Sequence, residues 1–84
     1  NTTIGTATIS AGELTTYIEN NNISDTTLIY LTPISDTKNQ VLYVKNKYSC
    51  PVDAPLSCQP FFTVAINQPT TQDIRFNYWL IQTQ

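Results

Sequence analysis

The side chains able to do chemistry in this chain are two cysteines, six carboxylates and four cations, and there is no histidine. Neither a Ser-His-Asp nor a Cys-His arrangement can therefore form. The carboxylates are too scattered for a paired glycosidase site or a calcium loop. They fall in predicted turns or strand ends, at Glu13, Glu19, Asp25, Asp36, Asp53 and Asp73. We expect a protein that is not an enzyme and needs no metal or cofactor.

Cys50 and Cys58 enclose the loop PVDAPLS. A structural zinc site takes four ligands, and the redox motif places two residues between its cysteines, so neither matches this pair. We expect a disulfide across the mouth of a hairpin loop; the alternative is two reduced thiols without a structural role. Disulfides persist in oxidising compartments, which predicts a secreted or cell-surface protein.

Charge excludes further classes of partner. Charged residues make up 12% of the chain and the net charge is −2. Four cations, Lys38, Lys45, Lys47 and Arg75, are too few to neutralise a phosphate backbone, so we expect no nucleic-acid partner. No apolar run approaches the roughly 18 residues of a membrane-spanning helix, so we expect no membrane span.

Length and composition indicate one β-rich domain. The chain has 84 residues, and threonine, tyrosine, isoleucine and valine, which favour strands, are plentiful. The first residue is Asn1 rather than methionine, from which we expect a processed product or a domain cut from a longer protein.

Alternation of apolar and polar residues predicts six strands, which favours an all-β fold: a small antiparallel β-sandwich of about six to seven strands with one disulfide-closed hairpin loop. The predicted strands are residues 3–10, 14–19, 26–33, 41–49, 61–67 and 73–82. We expect the first two to form a hairpin around Gly12. The third, apolar on both faces, is predicted to be central, and residues 41–67 a long hairpin stapled near its tip.

The last predicted strand carries a surplus of apolar residues. Its face with Ile74, Phe76, Tyr78 and Leu80 is expected to fill the core, which leaves Trp79 on the opposite face. We assign a candidate assembly or ligand surface to Tyr17, Tyr43, Tyr48, Tyr78, Trp79 and Ile81. Two interpretations stay open: the rings cover a core or subunit interface, or they form a glycan site with neighbouring asparagines such as Asn46 and Asn77.

The segments GTATISAG, LIYLTP, FFTVAI and DIRFNYWLI resemble a small β-domain at the C-terminal end of bacterial surface and fibre-like proteins, and more distantly the tips of phage tail fibres. The matching positions are Gly5, Ala7, Ile9, Ala11, Gly12, Thr32, Pro33, Asp73, Phe76, Tyr78, Trp79 and Ile81. The resemblance implies an extracellular, non-enzymatic shaft-end or tip module, often trimeric. It also implies that the chain is the C-terminal part of a longer or processed extracellular protein. The cysteine-closed loop is an insertion relative to that pattern.

Two hypotheses follow for the function. In the first, the domain is a building block of a surface appendage that forms a homo-oligomer, a trimer or filament, through its last strand. An exchanged N-terminal strand is one version of this hypothesis. In the second, it is a receptor- or glycan-binding tip that recognises a cell-surface glycan or protein through the loop 50–58 and nearby tyrosines.

Overall fold

The computed structural model describes residues 2–81, and for Thr2 its backbone alone. The predicted all-β fold is confirmed, with every predicted strand present to within a few residues; Gln82, the predicted end of the last strand, lies outside the described residues. The strands are β1 (Thr2–Ile9), β2 (Thr15–Glu19), β3 (Leu28–Pro33), β4 (Tyr43–Tyr48), β5 (Phe61–Ala65) and β6 (Ile74–Ile81).

The six strands form two three-stranded antiparallel sheets that pack as a small β-sandwich. Sheet A has the order β1-β6-β3, and sheet B has the order β2-β5-β4. The last strand is thus the centre of sheet A and pairs on both sides, with β1 from Ile9 opposite Ile74 and with β3 as far as Leu28 opposite Ile81. Pairing on both sides explains how a strand so close to the end of the chain is held in place.

The predicted hairpin around Gly12 is wrong. β1 belongs to sheet A and β2 to sheet B, so the turn at Gly12 carries the chain from one sheet to the other. Gly12 does take a left-handed φ of 83°, and its N–H donates to Thr70 O at 2.9 Å. The Ala11 N–H donates to the Asp73 carboxylate at 2.8 Å. These bonds to the segment before β6 hold the crossover, which a two-stranded hairpin would not need.

The prediction that the third strand is central is also wrong. β3 is an edge strand of sheet A and pairs with β6 alone. The strand is apolar on both faces although only one of them is covered. Ile29 and Leu31 face the core, whereas Leu28 and Tyr30 are exposed on the outside. Pro33, which lacks an N–H, ends the strand, and such a residue is tolerated at a sheet edge.

The predicted long hairpin is confirmed. β4 and β5 pair antiparallel, with a bulge at Lys45 between the Val44 and Asn46 pairs. Cys50 and Cys58 form a disulfide in the connecting loop, with their Cα atoms 6.2 Å apart. The disulfide fits a secreted or extracellular protein.

The core lies between the sheets and draws on alternate residues of the central strands. Phe62 and Val64 from β5 face Ile74, Phe76 and Leu80 from β6, and all five are fully buried or nearly so. This confirms the predicted inner face of the last strand.

Across the described residues 2–81, no helix has the length and apolar character needed to cross a membrane.

One side of the sandwich is bridged by Lys47 on β4. Its Nζ donates to Asp25 O at 3.1 Å and to Thr27 O at 3.0 Å, both in the segment that leads into β3. The ammonium therefore links the edge of sheet B to the start of the edge strand of sheet A. Lys47 pairs with Phe62, so its stem also runs along the rim of the core.

Candidate functional site

A row of three large side chains crosses the outer face of sheet A. Trp79 on β6 pairs with Ile4 on β1 and with Tyr30 on β3, and paired residues of neighbouring strands project to the same side. All three are open to solvent, with exposed fractions of 65% for Ile4, 43% for Trp79 and 51% for Tyr30. The central tryptophan is thus flanked by an apolar residue on each side.

The neighbouring rows extend this surface. Leu28 pairs with Ile81 and is 45% exposed. On the other side of the tryptophan row, Asn77 accepts a hydrogen bond from the Thr6 hydroxyl at 2.9 Å. We call this surface the Trp79 face; its apolar members are Ile4, Leu28, Tyr30, Trp79 and Ile81. Arg75, further along β6, is the nearest charged residue on the same side of that strand.

The outer face of sheet B carries a second aromatic surface. Phe61 on β5 lies between Tyr17 on β2 and Tyr48 on β4. Its ring centre is 6.0 Å from that of Tyr17, with an angle of 73° between the planes, and 5.6 Å from that of Tyr48, at 33°. Edge-to-face and tilted contacts of this kind are favourable for aromatic pairs.

A shallow groove of about 440 Å³ runs along the Tyr17 side of this surface. We call it the Tyr17 groove; it is lined by Thr15, Tyr17, Glu19, Gln59, Phe61 and Thr63. Aromatic carbon forms much of its wall, and a carboxylate, an amide and two hydroxyls surround it.

The structure separates the candidate residues named from the sequence. Trp79 and Ile81 lie on the outer face of sheet A, whereas Tyr17, Tyr43 and Tyr48 lie on the outer face of sheet B. They cannot form one site, because the core lies between them. Tyr78 belongs to neither outer face: it is half-buried on the inner side, with its ring 5.5 Å from that of Phe62.

Several residues of both surfaces could not be identified from the sequence. Ile4 and Tyr30 join Trp79 because of the pairing order β1-β6-β3, which no local pattern reveals. Phe61 lies between two tyrosines because of the register of three strands, which the sequence does not reveal either. The sequence does contain one signal for the second surface: Phe61 and Phe62 are consecutive, so a strand must place one ring on each of its faces.

The disulfide loop 50–58 presents apolar side chains at its tip. Val52 and Leu56 are fully exposed. The backbone makes two successive turns, closed by Ala54 N–H to Pro51 O at 3.1 Å and by Cys58 N–H to Pro55 O at 3.0 Å. Tyr48 Oη lies 3.7 Å from Cys58 Sγ, so the loop adjoins one end of the aromatic surface.

A second cavity, of about 400 Å³, lies beside this loop between Ile23, Cys50 and Pro60. On its wall the Ser49 hydroxyl donates to the Asp25 carboxylate. Among the described residues no group of three acidic or cysteine side chains is placed to hold a metal ion.

Asp36 lies at a tight turn away from both surfaces. Its carboxylate accepts the Lys38 N–H at 2.8 Å and lies 3.3 Å from Lys38 Nζ. The backbone hydrogen bond, then the side-chain contact with Lys38, lower the pKa of this exposed carboxyl from its usual 3.8. Lys38 and Asn39 both have positive φ, so the turn depends on local polar contacts rather than on glycine.

Comparison of the chain with protein-family models, with curated proteins and with solved structures finds no match.

Proposed function

We propose that this domain is a non-enzymatic extracellular interaction module that assembles with copies of itself through the Trp79 face. The observation that carries the proposal is the row Ile4–Trp79–Tyr30, which exposes three large side chains across all three strands of one sheet. Exposed tryptophan and tyrosine flanked by aliphatic side chains are typical of protein interfaces. The disulfide supports an extracellular location.

The electrostatics of the face favour a second copy as its partner. The chain has a net charge of −2, yet none of its acidic residues lies on the described strands of sheet A. Two copies can therefore stack these sheets without bringing carboxylates together. The apolar centre of the face, the row Ile4–Trp79–Tyr30, can serve both partners, as a two-fold symmetric interface requires.

The size of the face predicts weak association. Three strands of up to eight residues give a footprint of about 400 Å², from strand spacings of about 4.8 Å and rises of about 3.3 Å. A standard interface buries about 800 Å² per partner. A single pair of faces is thus about half of that size, so we expect dissociation constants between about 10 µM and 1 mM.

The free edge of β1 offers a second contact on the same sheet. β1 runs for eight residues without a charge or a proline. The other three edges are protected by Pro33 on β3, Glu19 on β2, and the bulge and lysines of β4. Because β1 pairs along its whole length with β6 of its own chain, we do not propose that this strand is exchanged between copies.

The test is light scattering over a concentration series, with Trp79→Ala as the disruptive variant. The native domain is expected to associate as concentration rises, whereas Trp79→Ala stays monomeric over the same range because interface tryptophans carry a large share of binding energy. Tyr17→Ala removes an exposed ring from the opposite face and is the matched control; it should associate like the native domain. A native domain that stays monomeric up to about 1 mM, or a Trp79→Ala variant that associates normally, would refute the proposal.

A further inference from the structure

We propose that the Tyr17 groove on sheet B binds a neutral pyranose ring of a carbohydrate. The groove lies on the opposite side of the sandwich from the Trp79 face, so the inference is independent of self-association. Its volume of about 440 Å³ is in the lower part of the roughly 300–1,000 Å³ range of small-molecule sites, which suits one or two sugar rings.

Two aromatic rings supply the apolar part of the groove. Tyr17 is 65% exposed and Phe61 half-buried, and their planes meet at 73°, so the rings form two sides of a corner. One side of a pyranose presents C–H groups with a partial positive charge. These groups are attracted to the negative face of an aromatic ring, as the edge of another ring would be.

The polar side chains of the groove have oxygen atoms that can form further hydrogen bonds. The side-chain oxygens of Thr15, Glu19 and Thr63 have no hydrogen-bond partner among the described residues. Glu19 can accept hydrogen bonds from sugar hydroxyls, and the two threonine hydroxyls can donate or accept. A ligand with one apolar face and several hydroxyls at its rim matches this combination of aromatic rings and polar side chains.

Gln59 is already oriented for such a ligand. Its Nε2 donates to Asn21 Oδ1 at 3.1 Å and to Pro60 O at 3.2 Å. These bonds use the nitrogen, and the amide oxygen remains as an acceptor beside the groove. The side chain is therefore held before the ligand arrives, which lowers the entropic cost of binding.

The backbone beneath the groove is similarly rigid. Tyr17 pairs with Thr63, and Glu19 pairs with Phe61 in the β2–β5 ladder. Beyond the ladder, Asn20 N–H donates to Pro60 O at 3.1 Å. All six lining residues except Gln59 thus lie on the paired strands β2 and β5. Sites on strands hold their geometry better than sites on loops.

The charge of the groove selects the kind of sugar. Glu19 is acidic, and none of the described residues that line the groove is cationic. Carboxylated, sulfated or phosphorylated sugars would meet an unbalanced negative charge. Neutral hexoses and N-acetylhexosamines are the expected ligands.

The experiment is an amide-resonance titration of the whole domain with neutral saccharides. The panel is methyl β-glucoside, methyl β-galactoside, N-acetylglucosamine, cellobiose, lactose and N-acetyllactosamine, with sialyllactose as the anionic comparison. Cellobiose represents polysaccharides, whereas lactose and N-acetyllactosamine represent cell-surface glycans, so the preferred disaccharide identifies the source. Nuclear magnetic resonance is needed because the only tryptophan, Trp79, lies on the other sheet and its fluorescence would not report binding.

We expect shifts confined to residues 15–19 and 59–63, with a dissociation constant on the order of 1 mM for the best ligand. Tyr17→Ala should weaken binding about 10-fold, the loss of one aromatic contact. Tyr30→Ala, an exposed tyrosine on the opposite sheet, should bind sugar like the native domain. In light scattering the outcome should be reversed: Tyr30→Ala should weaken self-association, whereas Tyr17→Ala should not. The two variants therefore separate sugar binding from the proposed self-association.

Three results would overturn the inference. One is the absence of shifts with every neutral saccharide at about 100 mM, which is about 100-fold above the expected dissociation constant. Another is binding that Tyr17→Ala leaves unchanged in a variant whose spectrum shows a folded domain. The third is a shift pattern centred on the disulfide loop instead of the groove.

Discussion

The ring of Tyr78 lies over the Cα atom of Gly5, its partner across the β1–β6 ladder. A Cβ atom at Gly5 would be 2.8 Å from Tyr78 Cε2, and closer still to Cζ and Oη. The absent side chain of one strand thus makes room for the large side chain of the next, and the ring reaches Phe62 in the opposite sheet. This relationship explains a glycine in the middle of an eight-residue strand, where it would otherwise weaken the sheet.

Gly5→Ala is expected to destabilise the domain by about 1–3 kcal/mol, because the Tyr78 ring must leave its position in a packed core. Tyr78→Val removes that ring, so the double variant should be more stable than the sum of the two losses predicts, by about 1 kcal/mol or more. Urea unfolding of the four proteins gives the coupling energy.

Gly12→Ala is the matched control for this cycle. No atom lies within 4 Å of a Cβ built there, and the cost comes from its φ of 83° instead. It should cost about 1 kcal/mol and show no coupling to Tyr78→Val. Equal coupling at both glycines would mean that the close approach at Gly5 has no energetic consequence.

Removal of the disulfide should lower stability without changing the fold. The bond closes a loop with a sequence separation of 8, for which chain entropy predicts about 2.5 kcal/mol. The double variant Cys50→Ser/Cys58→Ser should therefore unfold at lower urea concentration, while the amide spectrum of β4 and β5 is retained. An unchanged midpoint would show that the bridge contributes nothing to stability.

Lys47 and Lys45 are expected to differ although both are exposed lysines on β4. Lys47→Met keeps the apolar stem but loses two hydrogen bonds to the carbonyls of Asp25 and Thr27, at a cost of about 1–2 kcal/mol. Lys45→Met is the control and should change stability by less than about 0.5 kcal/mol. Equal effects of the two substitutions would argue against a bridge between the sheets.

Asp36 should titrate below its usual pKa of 3.8, because the Lys38 N–H and ammonium stabilise the carboxylate. The folded-state pKa is lower than the unfolded one, so the contribution to stability is complete above the unfolded pKa and is lost as pH falls through the folded pKa. The Lys38 amide resonance should shift with a midpoint below 3.8, and Asp36→Asn should abolish that transition. A midpoint at or above 3.8 would contradict the turn geometry.

The sequence by itself determined the features that depend only on residues close together along the chain, namely the two faces of each strand and the closed loop. Strict alternation in IRFNYWLI assigned Phe76 and Leu80 to the core and Trp79 to the outside, because successive side chains of a strand project to opposite faces. Two cysteines and two prolines between strand-like segments were enough to predict the closed loop of the β4–β5 hairpin. Absence of histidine is equally a property of the sequence.

Tertiary structure alone decided which strands are neighbours. Alternation does not encode pairing partners, so β1 and β2 looked like a hairpin although they lie in different sheets. The same limit hid the row Ile4–Trp79–Tyr30, whose members come from three strands far apart in the chain. Tyr17 and Trp79 are both exposed aromatic residues, yet the sandwich places them on opposite faces, because the sheet order, rather than residue type, determines which side chains share a surface.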